Sequence, residues 1–114
     1  MHIIENNISN QELEQMVNKA FGSLVKAVVD IEKEIMAVDA ELHSDEEELL
    51  LENGSLQRNL WGINIHPDKV GSDNWIEFDS MINMRPSQGN RSRGVDDPKI
   101  REKIIAIVNK LVTL

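Results

Sequence analysis

Leu24-Val-Lys-Ala-Val-Val-Asp-Ile31, Glu32-Lys-Glu34 and Ile35-Met-Ala-Val-Asp-Ala-Glu-Leu42 follow one another directly. The two outer segments are rich in Val and Ile, which suit a pleated, half-buried surface. Three residues between them suffice for a hairpin and are far too few for a parallel crossover. The pair therefore predicts antiparallel strands over 24–31 and 35–42. Neither half alternates cleanly between apolar and polar residues, so the pattern leaves open which face is buried.

The same logic extends toward the C-terminus. Leu60–His66 and Trp75–Met84 read as a second hairpin around the turn formers of Pro67–Asn74. In the last strand Ile76, Phe78, Ile82 and Met84 share one face, and Glu77, Asp79, Asn83 and Arg85 the other. His2–Glu5 predicts a short edge strand.

Three helices fill the gaps. Ser9 and Glu12 form a capping box, followed by Leu13, Met16, Val17, Ala20 and Phe21 on one face and Gly22 at the stop. Ser44 and Glu47 have the same spacing, opening an acidic helix through Leu49, Leu50 and Leu51 that ends at Asn53-Gly54. Asp97-Pro98 is an N-cap and N1 pair, after which Ile100, Ile104, Ile107, Val108 and Leu111 mark a buried stripe. The order is β-α-β-β-α-β-β-α. It predicts one α+β domain over residues 1–114, a mainly antiparallel sheet with three helices packed on one face and the other face open to water or a partner chain.

Composition narrows the function classes. The 114 residues fit one domain and include no Cys, which excludes disulfides, thiolate catalysis and cysteine zinc sites. A cytoplasmic setting is expected, with neither a signal peptide nor a membrane span. Twenty acids against twelve bases give a net charge of −8, which on average repels nucleic acid and anionic lipid. No phosphate-binding Walker loop, dinucleotide fingerprint, G-x-S-x-G elbow or H-E-x-x-H helix occurs.

Against that charge stands Arg85-Pro-Ser-Gln-Gly-Asn-Arg-Ser-Arg-Gly94, with three arginines and no acid. Guanidinium forks match carboxylate and phosphate oxygens bidentately. Glycine lets backbone N–H groups approach a ligand, and the helix starting near Asp97 favours an anion beside it. Arg85, Gln88, Asn90, Arg91 and Arg93 are thus the candidate ligand-binding residues, for a phosphate, nucleotide or carboxylate. In the plainer alternative these arginines pair with local acids and pin a long loop.

A second constellation is acidic. In an extended segment Asp39, Glu41 and His43 share a face, as do Glu77 and Asp79 in the last strand. Together they are candidate ligands for a divalent ion, and with the arginines they suggest metal-assisted phosphoester hydrolysis. A solvated outer sheet face explains the same pattern. His43 and Glu41 are the candidate catalytic groups. His43 also suits a structural bond at the corner before Ser44. Asp45–Glu48 favour the positive end of a helix dipole without any further role. Trp61 alternates with Ile63 and Ile65 as core. Trp75 serves either as an exposed anchor for a protein partner or a second copy, or as a lid over the 67–74 loop.

Three segments, Glu41-Leu-His-Ser-Asp-Glu-Glu47, Leu60-Trp-Gly-Ile-Asn64 and Glu77-Phe-Asp-Ser-Met-Ile-Asn-Met-Arg-Pro-Ser-Gln-Gly-Asn-Arg-Ser-Arg-Gly-Val95, resemble a small prokaryotic family catalogued as a domain of unknown function. The resemblance runs from about Val25 onward. It implies a single domain, assigns no activity, cofactor or partner, and gives His66 no role.

Three functions are therefore expected to compete. They are a small protein binding an anionic ligand through the arginine loop, a metal-dependent phosphoester hydrolase, and a protein-interaction or oligomerisation module.

Overall fold

In the computed structural model, which describes residues 1–19 and 22–114, the hairpin read from 24–42 forms the middle of the sheet. Strands β3 (Val25–Asp30) and β4 (Ile35–Val38) pair antiparallel with Val28 opposite Ala37. Strand β1 (His2–Ile4) extends the sheet beyond β4, and β5 (Leu60–Ile65) and β6 (Ile76–Glu77) extend it beyond β3. The strand order is β1-β4-β3-β5-β6, every pair antiparallel. The α+β class and antiparallel sheet stand as the hairpin lengths require.

Three helices accompany the sheet: α1 (Asn10–Lys19), α2 (His43–Glu52) and α3 (Pro98–Leu111). They do not share one face. Val25, Ala27 and Val29 of β3, Met36 and Val38 of β4, and Trp61, Ile63 and Ile65 of β5 pack with Leu13 of α1 and Ile104, Ile107, Val108 and Leu111 of α3. The alternate positions Val28, Ala37 and Leu60 pack with Leu50 of α2 and with Ile82. Both faces of β3 are therefore apolar, which is why its pattern fails to alternate. The face expected to be open is covered by α2.

The caps are local chemistry. Ser9 Oγ accepts from Glu12 N–H at 3.1 Å while Ser9 N–H donates to Glu12 at 3.1 Å, completing the capping box. Ala20 and Phe21 of the expected stripe lie outside the described residues. Asp97 accepts from Lys99 N–H at 2.9 Å, with Pro98 at the first helical position. At the end of α2, Gly54 takes a left-handed φ of 96° while Gly54 and Ser55 N–H bond back to Leu51 and Leu50. The start of α2 differs from expectation. The helix begins at His43, Leu42 occupies the N-cap without a side-chain bond, and no capping box forms at Ser44. Glu46 and Glu47 turn inward instead of capping. A two-residue parallel pairing that the sequence did not suggest, β2 (Ile8–Ser9) with β7 (Val112–Thr113), ties the two ends together.

The expected strand over 75–84 is cut short. Only Ile76–Glu77 pairs with β5, and Met81–Asn83 and Pro86–Gln88 form 3-10 turns. Ser80 starts the first turn by accepting from Ile82 N–H. A Cβ on Gly62 would lie 2.5 Å from Ser80 Oγ, so the chain crosses directly over a glycine in β5. Trp75 belongs to the main core at 6% exposure and is not a surface anchor.

Candidate functional site

The arginine loop is built mostly from bonds to its own chain. The Arg85 side chain is buried, its guanidinium 4.2 Å from the Trp61 ring centroid. One terminal nitrogen donates to the Leu60 carbonyl at 2.7 Å and the other to the Gln57 carbonyl. Asn90 is buried too. Its Nδ2 donates to the carbonyls of Asn83, Ser92 and Gly94, and its Oδ1 accepts from Asp96 N–H at 2.8 Å. Asp96 accepts from Ser92 Oγ and Arg91 N–H, and these bonds hold its carboxyl below the usual range. Arg85 and Asn90 thus replace the backbone partners that an irregular loop lacks.

The other three residues stay outward. Gln88 reaches the Arg58 carbonyl at 3.4 Å. Arg91 is exposed and forms no ion pair with a described residue. Arg93 is 57% exposed, with Nε 2.8 Å from Asp79 Oδ1. Its terminal nitrogens form no hydrogen bond with the described residues.

A denser polar arrangement sits at one end of the sheet, on the α2 side. Lys26 stands opposite Asn64, and Asn64 opposite Glu77, so the three form a row across β3, β5 and β6. Asn64 is buried. Its Nδ2 donates to Glu77 at 2.8 Å and to the Asp79 carbonyl at 3.3 Å, and its buried Oδ1 meets no well-aligned donor among the described residues. The Asn64 bond, ahead of nearby His66, holds the Glu77 carboxyl below the usual range.

The first turn of α2 adds two groups above this row. The His43 ring Nε2 lies 2.8 Å from the Ile63 carbonyl. A carbonyl only accepts, so Nε2 carries the proton and Nδ1 of the neutral ring is left as an acceptor. Burial lowers the His43 pKa, and the Lys26 charge adds to the effect, against Ile63, Asp79 and the neighbouring Asn64 side chain. One turn later Glu46 is fully buried. One oxygen accepts from Ala40 N–H at 3.2 Å and the other has no partner among the described residues. Burial pushes its carboxyl up to about 9, so it is protonated near neutrality.

Lys26 also lines a cavity of about 290 Å³ together with Asp39, Ala40, Glu41, Leu24 and Met16. The residue is partly buried, and its ammonium forms neither ion pair nor hydrogen bond with a described residue. Asp39, at a left-handed φ of 69°, lies 3.6 Å from His2 Nε2 and 3.8 Å from the Met1 amino group.

The candidate metal ligands are divided by this arrangement. Asp39 and Glu41 border the cavity, His43 is bonded to Ile63, Glu77 to Asn64, and Asp79 to Arg93. Among the described residues no three His, Asp or Glu side chains stand close enough to share an ion. The expected shared face for Asp39, Glu41 and His43 fails because β4 ends at Val38 and His43 already belongs to α2.

Sequence reading passed over Lys26 and Asn64, and gave Glu46 only a place in the first turn of a helix. Their signals were present. Lys26 is the one charge inside Val25–Val29, Asn64 the one polar residue amid Leu60–Ile65, and Glu46 shares a helical face with His43 and Leu50 at i, i+3 and i+7.

Over residues 2–111 the chain matches, and belongs to, the family described as "Protein of unknown function (DUF5674)". No curated protein matches it. No solved structure matches it either. Among the described residues no helix is long and apolar enough to cross a membrane.

Proposed function

We propose that this chain is a small binding protein for a compact ligand bearing a carboxylate or phosphate, held at the end of the sheet by Lys26 with Arg93 at the rim. The observation that carries this reading is the Lys26 ammonium. It belongs to a partly buried residue, is unpaired among the described residues, and borders a cavity near the size range of small-molecule sites. A cation with no protein partner at a cavity wall leaves its N–H donors open to an anionic ligand. The loop's share of the binding falls to Arg93 and secondarily Arg91, since Arg85 and Asn90 are spent on the fold.

Inorganic phosphate, nucleoside monophosphates and small dicarboxylates, titrated against the ¹⁵N-labelled chain, test this. Shifts centred on Lys26 and the Asn64 side-chain amide, lost in Lys26→Met, are expected. No saturable shift with any of these, or equal binding by Lys26→Met, ends the reading.

His43 favours a second reading, general-base catalysis, because its environment keeps the imidazole neutral with Nδ1 as acceptor beside the Lys26 charge. Glu41, the other catalytic candidate, is an exposed group on the cavity border. A panel of phosphoesters and carboxylic esters that the wild type leaves unhydrolysed, or hydrolyses as fast as His43→Gln does, eliminates it.

A further inference from the structure

The face of the sheet that carries α2 has a charge pattern that extends beyond the ligand site. On the β1 side of α2, Glu41, Asp45, Glu48 and Glu52 border a shallow groove with Met1 and Leu49. None of these four acids forms an ion pair with a described residue. On the β5 side lie Arg58 and Arg91, exposed and likewise unpaired with described residues, and Gln88 of the arginine loop bonds the Arg58 carbonyl. The bridge between Arg85 and Asn90 sets Arg91 beside Met84.

Apolar surface concentrates on the same elements. Of the nine large apolar side chains left exposed among the described residues, Leu42, Leu51, Leu56, Met81 and Met84 lie on α2, the turns flanking it or the 3-10 turn packed beside it. Met81 is 64% and Leu42 54% exposed. Apolar surface between unpaired charges of opposite sign is the composition of an interface core with a charged rim.

We infer that this face binds a second copy of the chain around a two-fold axis through α2, so that the acidic flank of each protomer meets the basic flank of the other. A two-fold contact is self-complementary, so one patch must carry both signs on opposite sides of its centre. The exposed Leu and Met side chains supply the apolar centre, where flexible Met adapts to an imperfect fit. The opposed flanks fix the register and make association sensitive to salt. This inference does not depend on the ligand reading.

Sedimentation velocity across a range of concentrations, at low and high NaCl, tests it on the full chain. A dimer that dissociates as salt rises is expected. Arg91→Glu and Glu48→Lys should each weaken it roughly tenfold, and the two together should restore it. Leu51→Asp, an exposed position whose fold is checked by circular dichroism, should abolish it. A chain monomeric at every concentration and salt overturns the inference, even if it captures a basic or acidic peptide. So does a dimer indifferent to Leu51→Asp, and so does a charge swap that fails to rescue.

Discussion

Asn83 closes its side-chain amide on both backbone groups of Gly62: Oδ1 accepts from Gly62 N–H at 2.8 Å and Nδ2 donates to the Gly62 carbonyl at 2.9 Å. Where β6 ends, this side chain stands in for the missing strand. A buried backbone pair left unmet is expensive, so Asn83→Ala should lower unfolding free energy by about 2–4 kcal/mol in urea titration. Asn83→Asp should be at least as harmful, since it removes the donor to Gly62 and buries a charge.

Gly62→Ala tests the same crossing from the other side. The new Cβ meets Ser80 Oγ at 2.5 Å and Ser80 Cβ at 2.6 Å, and Ser80 is buried with no room to yield. A loss of about 1–3 kcal/mol is expected from overpacking. In a double-mutant cycle, Gly62→Ala and Asn83→Ala should be non-additive, because either one opens the same edge. Additive losses would separate the two contacts.

Arg85 is expected to behave as a core residue. Arg85→Lys keeps the charge but cannot serve the Gln57 and Leu60 carbonyls while stacking on Trp61. Its unfolding midpoint should fall by an amount equal to about 2–4 kcal/mol, with altered Trp61 fluorescence in the folded state. Arg91→Ala should leave stability within about 0.5 kcal/mol of wild type, as for most exposed substitutions. A tolerant Arg85 would return it to the candidate ligand site.

These contrasts mark what the sequence made legible. Hairpin spacing gave the antiparallel sheet, because Glu32–Glu34 admits no other link between its two strands. The cap signals at Ser9 and Asp97 act within three residues and held, whereas the same spacing at Ser44 failed because Glu46 and Glu47 turn inward. The early end of the last strand was not legible, since it depends on Gly62 meeting Ser80 about twenty residues away. The placement of α2 was hidden for a related reason. The Val28 and Ala37 side of the sheet looks no less apolar than the opposite side, so pattern alone could not divide the helices. At the site, His43, Glu41 and Asp39 were singled out as ion-like chemistry. The burial that makes Glu46 unusual appears only when its helix face is matched to Leu50.

Ligand binding should separate the cations. Lys26→Met should remove saturable phosphate or carboxylate binding, and Arg93→Ala should weaken it by roughly tenfold for loss of one rim contact. Arg91→Ala should change it least of the three. Isothermal titration of the four proteins against one ligand ranks them directly. The order Arg91 first and Lys26 last would place the site back on the loop.

The buried Glu46 carboxyl gives the chain a pH signature whose sign follows from its environment. Burial raises its pKa in the folded state to about 9, whereas in the unfolded chain it titrates in the usual carboxylate range. Between those values the folded state holds a proton that the unfolded state has released. Its contribution is therefore intact below about pH 4 and declines as pH rises toward 9, by at most about 1.4 kcal/mol per pH unit. His43 acts oppositely. Its lowered pKa gives stability above the usual imidazole range that fades as pH falls through it. Glu46→Gln keeps an oxygen for Ala40 N–H while removing the titration. Denaturation followed from pH 6 to pH 9 should show the variant gaining on wild type steadily. Parallel stability curves for the two proteins would mean that Glu46 ionises normally and that its burial is relieved by water.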